Sequence, residues 1–255
     1  MKIICLNTWG GKAGKEKILD FFHTYKNTVD IFCLQEMWRA PYGHLGSYKA
    51  GGVDMRDEEI MVYGVDEISK VLKGHNTFFR PHHLDDYGLM MSVHKDIAVH
   101  EEGEVFVHKF KNFIPVGDVG LHARNVQFVK IMHRETPYTI MNFHGLWNGK
   151  GKTDSVDRIE QSKKIAELIK TIEGEVVICG DFNLLPDTKS IKMLEEAGLV
   201  NLIKEYRITS TRTSLYSKSE KFADYIFVSK GVSVKDFKVL SDEVSDHTPL
   251  YLELE

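Results

Sequence analysis

Six strand-like runs along this chain end, or begin, on side chains that can hold a metal ion, move a proton or bind an anion. "KIICLN" ends in Asn7, "IFCLQE" in Glu36, "YTIMNFH" in His144, and "VVICGDFN" in Asp181 and Asn183. "FADYIFV" carries Asp224 near its start, and "SDEVSDHTPLYLEL" sets Asp246 and His247 just before the last apolar run. A carboxylate at the mouth of a buried strand is costly to desolvate unless a partner waits there. Taken singly, each is also explained by a turn, because Asp and Asn close turns through their own side chains. Six such clusters together predict the rim of an active site. Glu36, Asp181 and Asp246, with Asn7 and Asn183, offer hard oxygen donors that suit Mg²⁺ or Mn²⁺. Zinc would want Cys and His at ligand spacing, and neither CxxC nor HExxH occurs. "RPHHLDD" (His82, His83, Asp85, Asp86) reads as a polar loop with solvated histidines. "NGKGKTD" resembles the end of a phosphate-binding P-loop, but the required first glycine falls at Leu146. No GxSxG nucleophile elbow is present.

The elements that must position these residues are legible as alternating runs. "KIICLN", "DIFCLQE", "YGLMMSVH", "VQFVKIMH", "YTIMNFHG", "EVVICGD", "ADYIFVS" and "PLYLELE" are short, rich in β-branched and aromatic residues, and bounded by turn formers. Helical periodicity appears over residues 156–172, with Asp154 or Ser155 available as the cap, and over 15–25 and 188–197. "EEIMVYGVDEISKVL" reads as one or two core helices, within a stretch (46–87) that matches no pattern of its own. Several neighbouring strands have no helix between them, which predicts a mixed α/β sandwich rather than a purely parallel sheet. No internal repeat or low-complexity linker divides the chain, so residues 1–255 are read as one domain.

The totals exclude some classes of function. With 255 residues and a formal net charge of -4, no global positive field draws in nucleic acid. A polyanionic substrate must therefore be met by a local basic patch or a bound cation. The start, "MKIICLNTWGG", is too poor in apolar residues for a signal peptide. No run is long enough to span a membrane. Cys5, Cys33 and Cys179 each sit in an apolar run, which predicts buried free thiols and a reducing, cytoplasmic setting. A monomer is expected.

"LNTWGG", "LQE", "NFHG", "GDFN", "DYIFVS" and "SDH" resemble, in order, the motifs of the endonuclease/exonuclease/phosphatase superfamily. The match runs from Asn7 to His247. It implies a four-layer α/β/β/α sandwich with two packed, mixed but mainly antiparallel sheets and a site at one edge. It implies Glu36 as a Mg²⁺ (or Mn²⁺) ligand, with Asn7 beside it and Asp246 as a second ligand or an orienting group. It also implies His247 paired with Asp224, and Asp181 or His247 activating water. Asn183 and His144 are then expected on the phosphoryl group, and Arg124 on phosphate. Trp-Gly-Gly after Asn7-Thr8 differs from the tyrosyl-DNA enzymes, and His144 stands where apurinic endonucleases carry tyrosine. The resemblance therefore names no subfamily.

Trp9, Trp38 and Trp147 each follow a motif residue closely and are expected in rim loops, stacking on a base or wedging loops together. Lys150, Lys152, Arg207, Arg212, Lys218 and Lys221 lie in two loops that precede motif elements and can meet phosphates. The leading expectation is a metal-dependent phosphodiesterase acting on nucleic acid. The alternative is a phosphatase or phosphodiesterase for a small or lipid phosphoester, of the inositol phosphate or sphingomyelin type. A non-catalytic binding module ranks last, since no motif residue is missing.

Overall fold

In the computed structural model, residues 1–41, 48–50 and 53–255 are described. The strands are, in chain order, β1 (Lys2–Asn7), β2 (Ile31–Trp38), β3 (Tyr48–Ala50), β4 (Val53–Met55), β5 (His75–His83), β6 (Tyr87–His94) and β7 (Val99–His108). They continue with β8 (Arg124–His133), β9 (Thr136–His144), β10 (Glu175–Asp181), β11 (Leu199–Asn201), β12 (Asp224–Ser229), β13 (Val234–Val239) and β14 (Leu250–Leu254). The α-helices among the described residues are α1 (Lys15–Tyr25), α2 (Gly64–Val71), α3 (Val156–Lys170), α4 (Lys189–Glu196) and α5 (Leu202–Glu205). One six-stranded sheet runs β13-β14-β1-β2-β6-β5, a second runs β11-β12-β10-β9-β8-β7, and β3 and β4 form a separate hairpin.

Alternation along β1 and β2 explains the layering. Ile3, Cys5, Ile31 and Cys33 face the second sheet and join its Val126, Val129 and Met141 in one core. Ile4, Leu6, Phe32 and Leu34 point the other way, against Ile18, Phe21 and Phe22 of α1 and Val65 and Ile68 of α2. Each fully buried side chain of this size stabilises the fold by ~1.5–3 kcal/mol. Ile165 and Ile169 of α3 and Ile191 and Leu194 of α4 cover the second sheet in the same way. The result is the four-layer sandwich expected. The three cysteines are free and buried within it. Among the described residues no helix is long and apolar enough to cross a membrane.

A buried amide network crosses between the sheets behind the site. Gln35 donates to Asn142 Oδ1 (2.6 Å), and Asn142 donates to the Leu34 and Met90 carbonyls and to Gln127 Oε1 (3.0, 3.2 and 3.2 Å). Leaving one such partner unsatisfied costs ~1–3 kcal/mol, so the network fixes how the two sheets face each other.

Two expectations are corrected here. "RPHH" is not a polar loop: it closes β5, and His82 and His83 are both buried. His122 stacks on both rings, at centroid distances of 4.9 and 5.0 Å. With Asp85 and Asp86 they form no metal-holding group among the described residues. Trp38 closes β2 rather than sitting in a rim loop, and it is buried against Tyr87 at 4.6 Å, where it still borders the cavity at the strand ends. The 58–72 stretch yields one α-helix, α2, with a short 3-10 turn over Asp57–Glu59 ahead of it. Both candidate caps before residue 156 are used, on different helices. Ser155 accepts from Arg158 N at the start of α3, while Asp154 accepts from the Lys189 and Ser190 amides at the start of α4.

Candidate active site

Register brings the motif residues to one edge. β1 and β2 run parallel, as do β9 and β10, so each pair ends at the same side. Asp181 is the direct partner of His144 on one flank and of Asp224, on antiparallel β12, on the other. Three site residues thus stand in a row across the second sheet. β10 can lie so close to β9 only without side chains at two points. A Cβ on Gly180 would meet the Phe143 carbonyl oxygen at 1.8 Å, and one on Gly145 would meet the Phe182 carbonyl oxygen at 2.2 Å.

The first sheet delivers its residues by distortion. Pairing of β2 with β6 slips between Leu34 and Met37, and Glu36, inside that bulge, has a φ of 57°. A bulge re-aims the side chain it carries. Trp9 (φ 51°) and Asn183 (φ 53°) are likewise left-handed. Such non-glycine backbones cost ~1–3 kcal/mol each and concentrate at functional sites.

The side chains then lock together. Asn7 Nδ2 donates to Glu36 Oε1 and to Asp181 Oδ2, both at 3.0 Å, while its Oδ1 accepts from the Trp9 amide at 2.9 Å. It clamps two carboxylates from different sheets. Asp181 Oδ1 accepts from the Asn183 amide (2.8 Å); Asn183 Nδ2 donates to the Gly145 carbonyl (3.2 Å), and its Oδ1 accepts from Lys152 Nζ (2.7 Å). His247 Nδ1 lies 2.8 and 2.9 Å from the Asp224 oxygens, and its Nε2 is 3.6 Å from both Asp181 Oδ2 and Asp246 Oδ1. A carboxylate at Nδ1 holds the proton there, so Nε2 is the atom presented to the site. Arg124 approaches Nδ1 of His144 at 3.4 Å. Since guanidinium only donates, the neutral His144 ring carries its proton on Nε2, 3.7 Å from Asp181 Oδ2. Arg212 donates to Asp246 Oδ2 at 3.2 Å.

These neighbours set the charges. Burial and Arg124 push His144 well below the ordinary histidine range, so it is a neutral donor. Burial and Arg212 also oppose a charge on His247, but Asp224, Asp246 and Asp181 together raise it above the ordinary value. Burial works against ionised Asp181, yet His247, Lys152, His144 and Arg212 hold its carboxyl well below the usual carboxylate range. Glu36 moves the other way: burial raises it, Asn7 and His247 only partly offset this, and Asp246 and Asp181 add repulsion.

The donor set fits a hard divalent cation. Glu36, His144 and Asp181 bring ligand atoms within 4.8 Å of one another, as do Asp181, Asp224 and His247. Asp224 and His247 Nδ1 satisfy each other, and His144 Nε2 bears a proton, so the Glu36 and Asp181 oxygens are the ones suited to a cation. Asp246 Oδ1, buried and without a hydrogen-bond donor among the described residues, is a third such oxygen.

A cavity of about 300 Å³ gathers these groups. Of the twelve residues read from the sequence, Trp9, Glu36, Arg124, His144, Trp147, Asp181, Asn183, Arg212, Asp246 and His247 line it. Asn7 and Asp224 stand directly behind, bonded to those that do. Sequence reasoning overlooked Lys12, Tyr87, His122 and Tyr216, which also line it, and treated Lys152 and Lys218 only as flanking charge. The nearest available signal was position: His122 lies two residues before Arg124, and Tyr216 four after Arg212.

Comparison with known proteins agrees with this fold. The model of the Endonuclease/Exonuclease/phosphatase family matches residues 4–247. Among solved structures, a mannosyl-6-phosphatase of Bacteroides thetaiotaomicron VPI-5482 superposes with a TM-score of 0.72 at 18% identity, over 100% of this chain and 99% of that one. D. rerio TDP2 complexed with a single-strand DNA product gives a TM-score of 0.69 at 17% identity, over 100% and 98%. No curated protein sequence matches significantly. With the family model spanning nearly its whole length, the chain belongs to the endonuclease/exonuclease/phosphatase family, whose members hydrolyse phosphoesters.

Proposed function

We propose that the chain is a divalent-cation-dependent phosphoester hydrolase in which water attacks phosphorus in line with the leaving oxygen. The observation that carries this is the convergence of Glu36, Asp181, His144 and the Asp224–His247 pair on one cavity. Glu36 and Asp181, with Asp246 beside them, would hold Mg²⁺ or Mn²⁺, which neutralises charge on a non-bridging oxygen when bound. His247 Nε2 takes the proton of the attacking water. Asp181 orients that water rather than deprotonating it, because a carboxylate held so acidic is a weak base. His144 donates from Nε2 to a phosphoryl oxygen, where the transition state gathers charge. Asn183 is fixed at both ends of its amide, by Lys152 at Oδ1 and by the Gly145 carbonyl at Nδ2, so its second amide hydrogen is the one left to donate to a phosphoryl oxygen.

Two substrate readings have support. A nucleic-acid strand is favoured by Trp9 and Trp147 beside the cavity, since stacking on such rings contributes ~1–3 kcal/mol per base. A small phosphoester is favoured by the cavity volume of about 300 Å³, at the lower end of the roughly 300–1,000 Å³ typical of ligand pockets. The solved relatives include one of each kind. Three buried free thiols favour a reducing, cytoplasmic setting.

The test is hydrolysis of single- and double-stranded DNA, abasic DNA, RNA, a 5′-tyrosyl end, sphingomyelin, inositol phosphates and sugar phosphates. Each is run in Mg²⁺ and in EDTA, with His247→Ala as the contamination control. The expected result is turnover on at least one substrate that needs Mg²⁺ and is lost in the variant. Activity that survives both EDTA and the substitution would contradict the proposal.

A further inference from the structure

The cations of the cavity exceed what the chemistry above uses. Against a whole-chain charge of -4, five cationic and three carboxylate side chains line this one cavity. Lys152, Arg212 and Lys218 come from the loops between β9 and α3 and between α5 and β12, not from strand ends. Arg212 is paired with Asp246 (3.2 Å), though its Nε is buried with no hydrogen-bond partner among the described residues. Its guanidinium lies 4.0 Å from the Tyr216 ring centroid.

Lys152 is the costlier case. It is 3% exposed, and the hydrogen bond of its ammonium goes to the neutral amide oxygen of Asn183, while the more distant Asp181 and Asp224 carboxylates offset the burial of its charge only in part. Removing an ammonium from water costs several kcal/mol unless an anion compensates. The loop that carries it is nonetheless fixed in place. The Leu185 amide donates to the Lys152 carbonyl (2.8 Å). Buried Arg158 donates to the carbonyls of Leu146 (3.1 Å), Gly151 (2.9 Å) and Thr153 (2.6 Å). Trp147 is shared: Lys152 Nζ lies 5.2 Å and Lys218 Nζ 4.8 Å from its ring centroid. A buried ammonium on a pinned loop, beside two further cations, is a preorganised receptor for an anion.

We propose that Lys152, with Arg212 and Lys218, forms a subsite for a phosphate dianion, so that the group attacked beside Asp181 and His247 is a phosphomonoester. This rests on the phosphoester-hydrolase reading and narrows it. An internal phosphodiester carries one negative charge, whereas a monoester carries nearly two at neutral pH, and the second is the charge that Lys152 answers. Two sources offer this chemistry: the terminal phosphate of a nucleic-acid strand and a small sugar phosphate.

The test is calorimetric binding of inorganic phosphate and of dimethyl phosphate at pH 7.5 in EDTA. Wild type is compared with Lys152→Met, which keeps the apolar stem and removes the charge, and with Lys152→Arg. Wild type should prefer inorganic phosphate by about tenfold or more. Lys152→Met should weaken that ligand ~10- to 100-fold, the loss typical of a charged hydrogen bond, and dimethyl phosphate by less than about threefold. Lys152→Arg should recover part of the loss. Equal effects on both ligands, or a wild type that does not discriminate, would overturn the subsite, and the latter needs no variant to fold. Turnover in Mg²⁺ of a 5′-phosphorylated oligonucleotide and of a hexose 6-phosphate separates the sources, since Lys152→Met should depress kcat/KM on the true one. Cleavage of an unphosphorylated oligonucleotide at full rate in that variant would also overturn it. Selective phosphate binding without any turnover would leave the subsite standing and remove the hydrolase reading instead.

Discussion

His144 and His247 flank the same carboxylate, Asp181, at nearly equal distances of 3.7 and 3.6 Å, and both are buried. Their protons are nonetheless arranged in opposite ways. His144 has a guanidinium behind it and is kept neutral, with its N–H aimed at the site. His247 has a carboxylate behind it and is made more basic, with its lone pair aimed at the site. Burial alone lowers both. The difference therefore lies in the residue one shell back, Arg124 or Asp224, and each comes from the first position of its strand, β8 or β12. One imidazole becomes a donor and the other an acceptor without any difference in their own exposure.

The largest effect should come from removing the acceptor. His247→Ala should lower kcat by ~10²–10⁴-fold, the usual contribution of a general base, with an unchanged melting temperature as the control. Asp224→Asn should cost ~10- to 100-fold, as outer-sphere partners do. It should also shift the pH profile, and the sign follows from the direction of the shift. His247 acts as a base only when deprotonated, and Asp224 is the largest of the carboxylates that favour its charged form. kcat/KM should therefore rise with pH along a limb set by His247, and Asp224→Asn should move that limb to lower pH. Arg124→Met should cost less, about tenfold, because it frees the His144 tautomer without removing the donor. A loss as large as that of His247→Ala would erase the contrast between the two rings. The smallest effect lies far from chemistry. Asp154→Ala should destabilise the fold by about 1 kcal/mol through the lost bonds to the first amides of α4, whose N-cap Thr188 remains, while leaving kcat unaltered, read by denaturant unfolding and steady-state kinetics.

Lys152 adds a second pH signature. Burial lowers it to about 8, so phosphate binding should weaken as pH rises through that value, opposite in sign to the rising base limb.

What was legible in the sequence divides along the sheets. The eight runs read as strands are β1, β2, β6 and β14 of one sheet and β8, β9, β10 and β12 of the other, which are the central strands. Both edges of both sheets, β5, β7, β11 and β13, went unread. A central strand is covered on both sides and reads as a continuous apolar run. An edge strand carries charge and breakers that limit further pairing: "VHEEGEVFVH" in β7, Pro81 in β5 and "VKDFKV" in β13. His82 and His83 were misjudged for the same reason, since an edge strand in a polar context looks like a loop. The site followed suit. Residues at the ends of central strands were found from their own motifs. Lys152 and Tyr216 sit in loops whose course is set by distant anchors, the Leu185 amide on the Lys152 carbonyl for the first and the bonds of Thr213 to the Ser245 and Asp246 carbonyls for the second, and no local pattern places them inside the cavity.

The most direct test of the account is the pH–rate profile of kcat/KM from pH 5 to 9 on the best substrate in Mg²⁺, measured for wild type, His144→Ala and His247→Ala. The account predicts a rising limb in wild type, the same limb at a lower rate in His144→Ala, and no limb in His247→Ala. A limb that persists in His247→Ala, or vanishes in His144→Ala, would contradict the assignment of acceptor and donor.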